Sequence, residues 1–201
     1  MSHLVETMAY ANAVPWHGLG NNINADSTIE DWQRQSGLDW SVSKRQVMFR
    51  GVEFGETMTI PTRRFKDKFV LARDTDNTPF SVVSDRYKPV QPKEILEFFR
   101  DLIATHGMTI ETAGSLKDGK RIWALARTGD AHKVLGSDLV NSYLLIATSY
   151  DLTFSTLAQF TSVRVVCNNT LQQSLNDYIS RVSIPHLKDF NADQVHESLG
   201  L

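Results

Sequence analysis

The run Ser162-Val163-Arg164-Val165-Val166-Cys167-Asn168-Asn169-Thr170-Leu171 sets one guanidinium and two side-chain amides into an otherwise apolar stretch. Its alternation predicts a strand over Leu157 to Cys167, and the Asn-Asn-Thr turn opens a helical pattern. A helix N-terminus exposes N–H groups and carries the positive end of the dipole, so it favours an anion. Arg164 beside such a terminus, with Asn168 and Asn169 donating, makes a phosphate seat. The competing reading is simpler: Asn168 or Asn169 caps the helix and Arg164 lies on a solvent face.

Three further groups of cations suit the same chemistry. Ser84-Asp85-Arg86-Tyr87-Lys88-Pro89-Val90 interleaves Arg86 and Lys88 with an aromatic. Stacking on Tyr87 would be tolerant of base identity while the cations neutralise phosphates. Lys117, Lys120 and Arg121 fall at an expected hairpin tip, and Arg63, Arg64, Lys66 and Lys68 form a dense basic stretch. Either group could equally be an ordinary solvated surface. The overall charge is formally −2 and gives no sign of nucleic acid, but it hides a gradient. From Met1 to Ser43, Glu6, Asp26, Glu30, Asp31 and Asp39 face only Arg34. From Lys44 to Arg73 eight bases face Glu53, Glu56 and Asp67, which is locally about +5.

Enzyme chemistry finds less support. The six histidines are scattered, and no pair has the spacing of a local zinc motif. There is neither a phosphate loop ending in Lys-Ser or Lys-Thr nor a nucleophile elbow. Cys167 follows strand residues, so it is expected to be buried and inert. Asp85, Glu111, Asp138 and Asp151 could converge on magnesium, yet nothing in their spacing requires it. His17, in the apolar turn Pro15-Trp16-His17-Gly18-Leu19-Gly20, is a weak ligand candidate, and Trp16 is expected to pack on the body or on a neighbouring subunit. No cofactor or metal is expected.

The elements that must position these residues follow from periodicity. A length of 201 residues allows one large core or a main domain with a smaller lobe. One cysteine excludes an internal disulfide and suits a reducing compartment. Neither a membrane-length apolar run nor a signal-peptide pattern is present, so a cytoplasmic protein without membrane contact is expected. Ser27 to Trp32 opens a short helix that ends near Gly37. Leu38–Arg45, Val47–Phe54, Thr57–Ile60, Lys68–Arg73 and Phe80–Val83 read as strands. After Pro92 a single helix carries Ile95 to Ile103 and stops at Gly107. Thr109–Leu116, Arg121–Arg127 and Ser142–Tyr150 are strands, the first pair closed by Lys117-Asp118-Gly119-Lys120. From Asn169 a helix runs through Tyr178, Ile179 and Val182 until Pro185 ends it. Strands in runs predict an α+β fold. Its core is an antiparallel sheet of three to five strands flanked by two helices over 84–201, with a smaller mainly β region over 1–83.

Five blocks then carry a resemblance. They are Pro15–Gly20, Ser84–Gln91, Ala113–Leu116 with Gly119–Ala124, Tyr143–Leu145, and Val163–Leu171. In order, from about Trp16 to Leu175, they resemble the phage/plasmid-like protein family, domain of unknown function 932. Members usually continue past the second helix with more helical sequence, whereas this chain stops at Leu201. The resemblance therefore suggests a compact or a truncated version. It implies a role in handling mobile DNA or in countering a host. The order helix, hairpin, strands, helix is similar to the core of single-strand annealing recombinases of the Erf and RecT types. That likeness implies a phage- or plasmid-encoded protein that anneals single-stranded DNA without a nucleotide cofactor. Such a protein assembles into a homo-oligomeric ring or filament. Its expected contacts are Arg86, Tyr87, Lys88, Lys120, Arg121, Arg164, Asn168 and Asn169. The alternatives are a protein-interaction role, as an inhibitor of host defence or a virion-associated protein, and a metal-dependent nuclease.

Overall fold

A computed structural model describes residues 3–51, 61–129, 132–134 and 138–201, with side chains omitted for 132–134 and 138–140. The expected strand over Thr57–Ile60 lies outside the described residues. In chain order the elements are β1 (Val5–Tyr10), β2 (Asn21–Asn22), α1 (Ile29–Gln35), β3 (Val42–Arg50), β4 (Thr62–Arg73) and β5 (Pro79–Ser84). There follow α2 (Pro92–Glu97), α3 (Arg100–His106), β6 (Thr109–Leu116), β7 (Arg121–Arg127), β8 (His132–Val134) and β9 (Asp138–Val140). The last are β10 (Tyr143–Ser149), β11 (Thr156–Thr161), α4 (Asn168–Asn176), β12 (Ser180–Ile184) and α5 (Ala192–Leu199). The fold is α+β, as its runs of strands require.

The main sheet has seven strands in the order β12-β11-β10-β7-β6-β1-β2, more than the expected three to five. All its pairs are antiparallel except β1 with β2. The sheet is buried on both faces, which is why Ile122-Trp123-Ala124-Leu125-Ala126 reads as a continuous apolar run. Ala9, Ala113, Ala124, Ala126 and Ala158 share one face with Leu144 and Ile146, against Ile95, Phe98, Phe99 and Leu102. Small residues there let the helices approach the backbone. Met8, Trp123, Leu125, Leu145 and Leu157 line the other face beneath Val165, Val166 and Leu171 of the segment entering α4.

Local chemistry sets several boundaries as expected. Thr28 caps α1 through Asp31 N (3.1 Å), and Gly37 follows with φ +68°. The β6–β7 turn uses positive φ at Lys117, Asp118 and Gly119. The first twenty residues hold β1, which pairs with β6. Three expectations need correction. The helix after Pro92 is two helices, broken at Phe98-Phe99, where both rings turn into the core. The strand toward Cys167 stops at Thr161, and 162–167 is irregular. Finally, α4 ends at Asn176, and Val182 belongs to the edge strand β12.

A second sheet, β3-β4-β5, carries the basic segment. Its root is fixed. The Gln91 side chain pairs with both backbone groups of Val42, accepting from N (2.9 Å) and donating to O (3.1 Å). Arg73 lies over the Trp40 ring and donates to Glu6 of β1 (2.8 Å). Because β5 pairs with β4 only as far as Lys68, residues 62–67 have β3 as their sole strand neighbour among the described residues. The outer hairpin is therefore an arm.

Candidate functional site

The segment expected to seat a phosphate is a strap across one face of the main sheet, buckled at both ends. At one end Arg164 donates from Nε to Glu111 Oε1 (2.8 Å) and from Nη2 to the carbonyls of Ala11 (3.1 Å) and Ala13 (2.7 Å). Glu111, with a side chain only 1% exposed, also accepts from Asn12 (3.0 Å) and lies 3.4 Å from Arg127. At the other end Asn168 accepts from Arg121 (3.0 Å), which in turn pairs with Asp151 (3.2 Å) and lies over the Phe154 ring. A buried guanidinium needs a carboxylate, and here each one has found it.

The helix terminus is closed in the same way. Cys167, not Asn168 or Asn169, is the N-cap residue, and Thr170 reaches back to accept from Val166 N (2.9 Å) and Cys167 N (3.0 Å). Asn168 N donates to His3 O (3.0 Å). Asn169 is exposed on the helix surface. Signals for this arrangement were present in Thr170, three residues after the cap position, and in Glu111. Which arginine each acid meets depended on strand pairing.

The other expected contacts separate. Tyr87 is buried, and its hydroxyl lies 2.7 Å from His186 Nδ1, so it offers no ring face to a base. Burial also raises its hydroxyl pKa far above the ordinary tyrosine value. Lys88 is exposed and paired with Asp189 (3.0 Å). Arg86 is exposed, and Lys120 is half-buried in the β6–β7 turn. Arg121 and Arg164 anchor opposite ends of the β6–β7 pair, so these residues do not form one continuous cationic trough. Trp16, expected to pack on the body or on a neighbouring subunit, is 67% exposed on this chain. His17 accepts from Leu19 N at Nδ1 (3.1 Å), so Nε2 carries the proton given to Val166 O (3.0 Å); it is an anchor for its loop. Of the acids considered for magnesium, Glu111 and Asp151 each face an arginine, Asp85 is exposed, and the Asp138 side chain lies outside the described residues. No grouping of metal-binding side chains occurs among the described residues.

Exposed cations are concentrated on the arm: Arg50, Arg63, Arg64, Lys66 and Lys68 are all exposed there, with Asp67 the one acid among the described residues of its outer half. Met48 faces Arg64 and Phe49 faces Arg63 across the ladder. Between those pairs and Gln46–Phe69 the register slips, and Phe65–Lys68 bulges out with Asp67 at φ +59°. The Gln46 side chain holds the bulge by donating to Phe65 O (2.8 Å) and Lys68 O (3.1 Å). The result is a cationic ribbon with aromatics set among the charges.

The profile of the family described as Domain of unknown function (DUF932) matches residues 79–201. The chain belongs to this family. The DUF932 segment runs from β5 to α5 and holds five of the seven strands of the main sheet as well as the strap; β1 and the arm precede it. No curated protein and no solved structure matches the chain. Among the described residues no helix is long and apolar enough to cross a membrane.

Proposed function

We propose that the chain is a DNA-binding protein of a phage or plasmid that holds and anneals single-stranded DNA without a nucleotide cofactor. The observation that carries this reading is a local concentration of exposed cations on the β3–β4 arm of a protein whose net charge is −2. Phosphates would follow Arg50, Arg64, Lys66 and Lys68, with Arg86 and Lys120 as outlying contacts. The binding surface thus moves from the strap, where Arg164 and its anchor Arg121 serve the fold, to the arm. Assembly into a ring or filament is supported by the two sheet edges, β12 and β2, which lie on opposite sides of the main sheet.

The test is a fluorescence anisotropy titration of a labelled oligonucleotide at two salt concentrations. The unmodified chain should bind in a salt-sensitive manner. Arg64→Glu/Lys66→Glu should weaken binding and lower the slope of log K against log salt by about 1.4, from roughly 0.7 per phosphate contact on a single strand. Equal binding by both proteins would remove the arm from the proposal.

A second reading, a protein-interaction role, draws on one observation. Trp16 stands exposed on a loop held by Arg164 and His17, the pattern of a rigid aromatic anchor. It predicts a partner protein whose binding is lost in Trp16→Ala, with no oligonucleotide shift.

A further inference from the structure

We infer that Phe65, set against Phe49 on the β3–β4 arm, is a base-stacking platform that makes the arm select single-stranded over duplex DNA. This rests on reading the arm as the nucleic-acid surface, and it adds the residue that discriminates the form of the strand.

Charge alone does not make that distinction, because duplex and single strand both present phosphates. What a single strand adds is the open face of its bases. Phe65 is 50% exposed and Phe49 45% exposed, and their rings meet edge to face with centroids 6.3 Å apart at 68°. In that geometry the edge of one ring meets a face of the other, and both residues still keep about half their surface exposed. A third aromatic among the described residues of the arm provides the contrast. Phe69, at the root, is half-buried and has the Lys44 ammonium over its ring at 5.4 Å.

The bulge explains how the ring is presented. A regular strand would alternate Arg64, Phe65 and Lys66 along a ladder. Here the extra residues between Arg64 and Phe69, pinned by Gln46, lift Phe65 out of that ladder with cations on both sides in sequence. A base stacked on Phe65 would have its neighbouring phosphates within reach of Arg64 and Lys66. Burying the ring on a base also removes apolar surface from water, which an exposed surface position otherwise leaves unfavourable.

The full-length chain is titrated against a labelled oligothymidylate and against a mixed-sequence duplex of equal length. Circular dichroism confirms the fold of each variant, and sedimentation velocity gives its assembly state. Phe65→Ala should weaken single-strand binding roughly tenfold and leave duplex binding within about twofold, whereas Phe65→Tyr should keep the preference. Equal loss on both forms, or an unaltered ratio, overturns the stacking role while leaving the arm reading in place. An altered sedimentation profile with an unaltered ratio also overturns it and makes Phe65 a contact between copies. If Arg64→Glu/Lys66→Glu binds like the unmodified chain, or the unmodified chain binds neither form, the arm reading fails and the stacking role fails with it.

Discussion

The strap over the main sheet and the β3–β4 arm both engage cations, yet they use them in opposite ways. At the two ends of the strap, Arg164 and, from β7, Arg121 are withdrawn from the surface and consumed by Glu111 and Asp151. In the arm, Arg64 and Lys66 lie outside the β4–β5 pairing and are exposed. A cation is available to a ligand only where the tertiary structure has not already supplied its counter-charge. Sequence neighbours do not decide this, since the strap looked the better anion site by its Asn-Asn-Thr turn and its expected helix dipole.

Stability measurements can break or sharpen the contrast. The largest effect is expected for Glu111→Ala, which leaves Arg164 and Arg127 facing a buried void. Loss of one partner in such a pair costs about 3–5 kcal/mol, read as a large fall in the urea midpoint. A midpoint close to the original would mean that the strap is not held by this pair. Next comes Gly119→Ala, at φ +80°, where a Cβ would sit 2.1 Å from Arg73 Nη2. The conformational term alone is about 1–2 kcal/mol. Arg73 must also leave Glu6, so the arm's root should loosen and hydrogen exchange in β3 and β4 should rise.

A smaller effect belongs to His186, which holds the tail to the main sheet. Thr156 N donates to its Nε2 (3.2 Å), the Tyr87 hydroxyl meets Nδ1, and Thr148 Oγ1 lies 3.1 Å from Nε2. Burial lowers its pKa below the ordinary histidine value. The unfolded chain therefore binds the proton more readily than the folded one. The stability from this residue is complete above about pH 6.5 and is lost as pH falls from there through the folded pKa. His186→Gln should flatten the difference between urea midpoints at pH 7.5 and 5.5. The least change is expected in the arm: Arg64→Ala and Lys66→Ala should alter stability by no more than about 0.5 kcal/mol. A large loss there would show that these cations serve the fold after all.

Elements whose signals are local were legible. The Lys117-Asp118-Gly119-Lys120 turn, the Thr28 cap of α1 and the Gly107 stop after α3 each depend on residues a few positions apart. Elements that depend on a distant partner were not. Val5–Tyr10 becomes a strand because β6, more than a hundred residues later, offers it an edge. Tyr178, Ile179 and Val182 fit helical spacing as well as a short strand, and pairing with β11 settled the matter for Val182. In the candidate site, the basic run from Lys44 to Arg73 was visible as composition, while the role of Arg164 was misread because its acid lies 53 positions earlier.

Amino-acid order by itself fixed the α+β class, the apolar strands of the main sheet and the uneven distribution of charge, since periodicity and composition are properties of short windows. Folding alone decided which charges remain accessible. Whether an arginine meets a carboxylate or water depends on segments brought together from far apart, and the free energy of a buried charge is set by that meeting.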